Sequence, residues 1–388
     1  MSSTIPLGKV VEIRGGGTPS RSVERYWGGP IPWATVKDFK STRLDKTLES
    51  ITPEGVKNSA TSIVPAGSII VPTRMAVGKA AINSVDVAIN QDLKALLPKK
   101  NIDPNFLLHF LLSKSEFLES RAQGATVKGI KLELLRALEF PNLRVEEQRR
   151  IANILDKADG IRRKLMLLER LLDESIRSVF QEMFGDPQSN KFGFKVGHLE
   201  HLCELITDCL HTTPDHFDEP NAYPSIRSSE LQGGYIDLSS AKYVTEEEYN
   251  VRIQRYRPEP DDIIYCREGA RYGSVGRIPE GMTPCLGQRT MLLKANRGIC
   301  NPDYLWSVMR SDFILDRANQ AVGGAASPHV NIGDIRKFPS LMPPLEVQEE
   351  FSRKCRNLLR QRERVLEQGR QATLLFLVLS QRAFRGEL

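Results

Sequence analysis

Two stretches of the chain repeat apolar residues at alternating spacings of three and four. In the first, Ile151, Ile154, Ala158, Ile161, Leu165, Leu168, Leu172 and Val179 trace a coiled-coil seam, and Gly and Pro nearly vanish between Val145 and Phe184. About 40 helical residues would run roughly 60 Å. In the second, Phe351, Leu358, Val365, Ala372 and Leu379 hold one seam position every heptad, and the other is polar at Lys354, Gln361 and Gln368. Gly160 weakens the first helix without breaking its period, Gly185-Asp186-Pro187 stops it, and Pro343-Pro344 precedes the second. Ahead of each helix the pattern is different. Short β-rich runs such as Ile69-Ile70-Val71, Ala80-Ala81-Ile82 and Ala95-Leu96-Leu97 sit between turn residues. Asp103 suits a helix N-cap and Pro104 a first helical position, with Phe106-Leu107-Leu108 and Phe110-Leu111-Leu112 as the apolar face.

The two halves repeat each other. Gly124-Ala125 to Gln181 and Phe184 lie without a gap on Gly324-Ala325 to Gln381 and Phe384, so that Arg136 meets Arg336, Glu146 meets Glu346 and Gln148 meets Gln348. Looser echoes run upstream. Ala66-Gly67-Ser68-Ile69-Ile70 answers Pro260-Asp261-Asp262-Ile263-Ile264, and Asn90-Gln91 answers Gly287-Gln288. Asp103-Pro104-Asn105-Phe106-Leu107 answers Asn301-Pro302-Asp303-Tyr304-Leu305. The period far exceeds the roughly 20–50 residues of a solenoid unit and fits a duplicated domain with its linker.

This predicts an α/β (α+β) chain with globular domains at 1–144 and 187–342, each followed by a long helix, at 145–186 and 343–388. A second long helix can bury its seam only by returning along the first, so the pair is expected to run antiparallel as a coiled coil with pseudo-twofold symmetry. Lengthening both helices by four residues would add about 6 Å to such a stalk. The segment Leu374 to Leu379 is apolar all round, which a two-helix stalk cannot bury. Either another surface covers it or it packs on the first domain.

Composition narrows the class only modestly. Fifty-four Lys and Arg against 48 Asp and Glu give a net charge of +6, which permits a nucleic-acid partner without demanding one. The start lacks the basic-then-apolar pattern of a secretory signal, and no apolar run reaches the roughly 18–20 residues of a membrane span. Six cysteines without paired spacing suit free thiols in a reducing compartment, so the expected location is the cytoplasm.

Several motifs resemble catalytic or metal sites without completing them. Asn301-Pro302-Asp303-Tyr304 lacks the second proline of an amino-methyltransferase motif, and its counterpart at Asp103 points to helix capping. Gly78-Lys79 has Thr73 and Ala80 where a phosphate loop needs Gly and Ser/Thr. His198, His201, Cys203, Cys209 and His211 crowd one region at spacings that fit no common zinc module. Asp261 and Asp262 with Glu268 hint at a nuclease cluster, yet their first-half counterparts carry no carboxylates. No catalytic or metal residue is therefore expected. Polar and basic loop residues remain: Lys37, Arg74, Lys79, Gln91 and Lys128 in the first half, and Arg227, Arg267, Arg271, Gln288, Arg289 and His329 in the second. These are side chains that reach base edges and phosphates, and the matched placement of the two sets favours DNA binding over ordinary surface.

The order of motifs resembles the specificity subunit of type I restriction–modification systems. Gly16-Gly17-Thr18-Pro19, Tyr26-Trp27-Gly28-Gly29 and Ile31-Pro32-Trp33 resemble the opening of that family's target recognition domains. Val145-Glu146-Glu147-Gln148 and Leu345-Glu346-Val347-Gln348 resemble its helix starts. Met183 to Pro187 and Ala383 to Leu388 resemble its helix ends. The chain departs at Asn142-Leu143-Arg144, where a Pro-Pro pair is usual, and at Cys209, where Gly is common. The resemblance implies a non-catalytic chain whose two domains each read half of a bipartite double-stranded DNA site. The helices would fix the spacer and dock two methyltransferase subunits, with motor–nuclease subunits joining the full complex. S-adenosylmethionine, Mg2+ and ATP would serve those partners, none of them this chain. A type IIB-like system and a stalked protein adaptor without DNA binding are the alternatives.

Overall fold

The computed structural model describes residues 3–124, 127–322 and 328–388. Ala125, Gly324 and Ala325, at the start of the gapless repeat, lie outside the described residues. The chain divides into two compact units, Met1–Met166 with Glu367–Leu388, and Leu167–Leu366. Each unit therefore contains part of both long helices, which span Val145–Phe184 and Leu345–Arg385.

In the first unit five strands lie in the order Val11–Gly15, Leu93–Pro98, Ile69–Pro72, Ala81–Asn83, Arg43–Leu44. All neighbours are antiparallel except the last pair. The run Ile69-Ile70-Val71 is apolar without alternation because both its faces are covered. Ile69 and Val71 pack with the helix Pro104–Ser113, while Ile70 packs the other way with Ala34, Val87 and Ile89 of a second sheet. That sheet has the order Glu49–Ile51, Trp27–Ala34, Val87–Ile89, Ile63–Val64.

The second unit repeats the plan. Its antiparallel sheet has the order Cys203–Asp208, Thr290–Ala295, Ile263–Cys266, Val275–Arg277. Ile263, Tyr265, Met291 and Leu293 face the helical side; Ile264, Cys266 and Leu292 face the other. A smaller sheet of Lys242–Tyr243, Pro224–Ile226 and Cys285–Leu286 lies in the same unit. Gly67 and Asp261 share a left-handed backbone, with φ of 82° and 75°, so the strand entry is the same turn in both units.

The helix after each sheet is locked to the long helix that follows. Asp103 Oδ1 accepts the Phe106 N–H at 3.0 Å, and Asn301 Oδ1 accepts the Asp303 N–H at 2.9 Å, so both are N-caps. Behind each cap sits a buried glutamine. Gln148 Oε1 accepts the Asp103 N–H (2.9 Å), and its Nε2 donates to the carbonyls of Asn101 (3.1 Å) and Leu143 (2.9 Å). Gln348 makes the same three bonds, from Asn301 N–H (2.9 Å) and to Ile299 (3.0 Å) and Pro343 (2.8 Å).

Within each unit the long helices run antiparallel. In the first, Ile151 and Leu155 share a core with Ala383, and Arg162 lies over the Phe376 ring. In the second, Phe180 and Phe184 meet Phe351, and Glu169 accepts from Arg362 at 2.6 Å. The seam expected from the sequence needs correction. Ile161 and Leu168 are 55 % and 43 % exposed, and Ile154 is only half-buried. The inward positions are Ile151, Leu155, Ala158, Arg162, Leu165, Glu169, Leu172, Ile176 and Phe180, so that Leu155, Arg162, Glu169 and Phe180 each stand one residue later than expected. On the second helix Phe351, Leu358, Val365, Ala372 and Leu379 are buried or half-buried. Their seam partners are Cys355, Arg362, Gly369 and Phe376 rather than Lys354, Gln361 and Gln368. Within the seam Arg362 and Glu169 form a hydrogen-bonded ion pair, beside the exposed Leu168. In the segment Leu374 to Leu379, Phe376 and Leu379 join the first unit's core, and Leu374, Leu375, Leu377 and Val378 remain exposed.

Candidate nucleic-acid interface

In each unit the strand at the heart of the antiparallel sheet ends in a loop clasped to the segment ahead of a short helix. Past Ile69–Pro72, the Met75 N–H donates to the Lys128 carbonyl (3.0 Å), and the Ile130 N–H donates to the Thr73 carbonyl (2.9 Å). Past Ile263–Cys266, the Gly269 N–H donates to the Pro328 carbonyl and the Val330 N–H to the Arg267 carbonyl, both at 2.9 Å. Met75 and Gly269 turn the loop with φ of 68° and 78°. The neighbouring strand joins the clasp identically: Thr73 N–H donates to the Asp92 carbonyl (2.8 Å) and Arg267 N–H to the Arg289 carbonyl (3.0 Å). These bonds pair Thr73 with Arg267, Arg74 with Glu268, Asp92 with Arg289 and Gly129 with His329.

The clasp gathers the first unit's candidates. Arg74 Nη1 lies 3.7 Å from Asp92 Oδ1, with Lys128 across the clasp and Gln91 next in chain. Gln91 Oε1 accepts the Thr18 hydroxyl at 2.5 Å. This is possible because Gly16 presses on the Ile89 carbonyl, which a Cβ there would strike at 2.0 Å. Trp27–Ala34 and Val87–Ile89 are parallel neighbours, so the turns carrying Lys37 and Gln91 leave the same sheet edge. Lys37, Arg74, Lys79, Gln91 and Lys128 are all exposed. Lys79 stands on the loop to Ala81–Asn83, beyond the clasp itself.

The second unit's candidates divide. Arg267 is not a surface cation: its side chain is 4 % exposed, with Nη2 2.9 Å from Asp208 Oδ2 and Nη1 2.7 Å from Glu268 Oε1. It acts as a strut beneath the loop. Arg227 is held by the fully buried Glu230, to which its Nη2 and its backbone N–H each donate at 2.8 Å. Gln288 Nε2 donates to the Thr213 hydroxyl (2.6 Å) and the His211 carbonyl (3.1 Å), and Arg271 Nη1 donates to the Ser229 carbonyl (3.1 Å). His329 lies between Glu268 (3.2 Å) and Asn331 (3.2 Å). Arg289 is exposed with φ of 67°, and among the described residues its guanidinium has no hydrogen bond or ion pair. Sequence reasoning missed the carboxylates Asp92, Asp208 and Glu230. Asp208 lies 59 residues from the arginine it holds, and nothing local announces that pairing.

The other clusters make hydrogen bonds and ion pairs of their own. Asp261 bonds Arg277 and Arg297, and Asp262 accepts from the Tyr256 hydroxyl at 2.8 Å, so the two carboxylates serve separate networks. Burial raises the Asp262 carboxyl, although its backbone and Tyr256 hydrogen bonds act the other way. His198 and His201 stack with Glu200 beside them, and His201 Nδ1 accepts the His198 N–H at 3.1 Å to cap its own turn. The Cys203 thiol is pushed up to about 12 by burial, and Cys209 is buried.

Residues 2–170 match the family model of the type I restriction modification DNA specificity domain. The MjaIX specificity subunit of Methanocaldococcus jannaschii is 24 % identical over 365 residues, covering 88 % of this chain and 82 % of that one. The chain thus resembles the specificity subunits of type I restriction–modification systems, with their DNA specificity domain matched over residues 2–170. The EcoR124I/EcoR124II specificity subunit of Escherichia coli is 35 % identical over 162 residues, 40 % of each chain. The fold is shared with the crystal structure of the type I S subunit from M. genitalium. The TM-score is 0.60 at 14 % identity, over 99 % of this chain and 96 % of that one. Among the described residues no helix is long and apolar enough to cross a membrane.

Proposed function

We propose that this specificity subunit reads a bipartite duplex DNA site, one half with each unit, and performs no bond chemistry itself. The repeated clasp carries the reading: one backbone arrangement, built twice, offers two different sets of side chains at its rim. Arg74, Asp92 and Gly129 stand in the first, Glu268, Arg289 and His329 in the second. Two rims of unlike side chains suit two unlike half-sites. Recognition domains at 1–144 and 187–342 fit this division of labour.

The long helices would carry the methyltransferase subunits. Ile161, Met166, Leu374, Leu375, Leu377 and Val378 are exposed on the first unit's helical segments, and Leu167, Leu168 and Leu171 on the second unit's. Apolar residues left out on helices mark surfaces that a partner covers. Adenine methylation with S-adenosylmethionine would then lie in those partners, and ATP-driven cleavage with Mg2+ in the motor–nuclease subunits.

Base-resolution mapping of methylated adenines tests the proposal, using the full chain with its methyltransferase. The expected product is a two-part motif with a fixed gap, and binding that weakens steeply with salt as phosphate contacts release counterions. A single contiguous motif, or no salt-dependent duplex binding by the complex, would overturn it.

A further inference from the structure

We infer that Arg289 is a base-reading residue of the second unit and that it contacts guanine in the major groove. This rests on the DNA-reading role proposed above. Of the six polar residues gathered at this rim, five are engaged within the unit. Arg267 is buried on Asp208 and Arg227 is tied to Glu230. Arg271 donates to the Ser229 carbonyl, Gln288 to Thr213 and the His211 carbonyl, and His329 sits between Glu268 and Asn331. Arg289 alone among the six combines exposure with a guanidinium that bonds nothing among the described residues.

Its backbone supplies the second argument. Arg289 holds φ at 67°, a left-handed conformation that a residue with a Cβ adopts at a cost and glycine adopts freely. Among the described residues no side-chain bond offsets that cost. A long cation kept where glycine would be easier points to use outside the fold. The mounting is also rigid. Arg289 immediately precedes the buried strand Thr290–Ala295, and its carbonyl is fixed by the Arg267 N–H. Gly269 opposite keeps space for it, since a Cβ there would lie 3.1 Å from Arg289 Nη1.

The first unit shows what changes at this position. Asp92 occupies the same place in the clasp, lies beside Arg74 at 3.7 Å and follows an ordinary backbone. A carboxylate in one rim and a guanidinium in the other is a reversal of charge on one scaffold. Arginine's fork of N–H donors matches the two acceptors of guanine, O6 and N7, which is the commonest specific base contact.

The test uses the complex of the full chain with its methyltransferase on a library of random-sequence duplexes. Arg289→Gly suits the left-handed backbone, so a changed motif cannot be ascribed to misfolding. The expected result is a loss of discrimination at one G·C pair, roughly five- to a hundredfold, in one half-site, with the other half-site unchanged. Arg289→Lys keeps the charge but loses the fork, and should retain binding while losing most of that discrimination. An unchanged motif in Arg289→Gly, or equal weakening on every sequence as a phosphate contact would give, overturns the inference. If the wild-type complex itself yields no two-part motif, the DNA-reading proposal fails, and this inference with it.

Discussion

The two buried glutamines offer the sharpest test of what fastens each long helix within its own unit. Gln148→Leu keeps the size of the side chain but removes one acceptor and two donors. The Asp103 N–H and the carbonyls of Asn101 and Leu143 would then face a hydrocarbon. Gln148 is 1 % exposed, so water does not replace the amide without opening the helix start. Each unmet buried group costs roughly 1–3 kcal/mol, and the leucine recovers about 1–2 kcal/mol through apolar burial. For the three groups together a net loss of about 1–8 kcal/mol follows. With a slope near 3 kcal/mol per molar, the urea midpoint should fall by about 0.3–3 M. Gln348→Leu should do the same in the second unit, where the bonds are equivalent. Gln148→Glu keeps the acceptor but has no second donor, so it should not rescue the loss.

Urea denaturation measures the loss, and hydrogen exchange locates it. In Gln148→Leu the Asp103 amide should lose protection while Asn301 keeps it; Gln348→Leu should show the reverse. The two glutamines share no hydrogen-bond partner, so the costs should add in the double variant. A wild-type midpoint in both single variants, with Asp103 and Asn301 still protected, would refute the claim that these amides fasten the long helices to the caps.

Two further predictions concern charge and the helix seam. Burial alone would raise the Asp173 carboxyl, but the Arg310 guanidinium and the Tyr235 hydroxyl outweigh it and hold the group below the usual carboxylate range. A depressed folded value stabilises above the unfolded pKa and is lost as pH falls through the folded one. Acidification between about pH 5 and pH 3 should therefore lower the wild-type urea midpoint more than that of Asp173→Asn; equal slopes would contradict the pairing. On the first long helix, Leu155→Lys buries a charge at a fully buried site and should cost more than about 3 kcal/mol, whereas Ile161→Lys should stay within about 0.5 kcal/mol. The reverse order, measured by thermal or urea unfolding, would restore the seam expected from spacing alone.

That seam shows where the sequence was legible and where it was not. The long helices, the duplicated sheets and the capping at Asp103 and Asn301 could be read because each leaves a local signature: a period, a repeat, a cap followed by proline. The register within the helix could not. Leu165-Met166-Leu167-Leu168 and Leu171-Leu172 satisfy several heptad frames equally, and the deciding residues are polar. Arg362 lies 3.6 Å from the centre of the Tyr235 ring and donates to Glu169, a charged pair within the seam beside the exposed Leu168. Hydrophobic periodicity is blind to such a pair. The loops of the rim were legible as part of the repeat, but the partners of their side chains were not. Arg267 and Arg289 look alike in sequence; Asp208, distant in the chain, and Glu268 make the first a strut, while the guanidinium of the second bonds nothing among the described residues.

On the proposed reading, the duplication would let one chain hold two specificities without two folds. What repeats is backbone and buried amide: the clasp bonds, the left-handed turns at Met75 and Gly269, and the three bonds of Gln148 and Gln348. What differs is the side chain carried at each repeated backbone position, Asp92 against Arg289 and Gly129 against His329. The clasp is closed by main-chain N–H and carbonyl groups, which every residue but proline supplies in full. Its geometry is therefore nearly indifferent to the side chains it displays. A substitution at the rim can change the base that is preferred while leaving the fold's own hydrogen bonds in place, whereas a substitution at Gln148 or Gln348 should weaken the unit whatever DNA it reads.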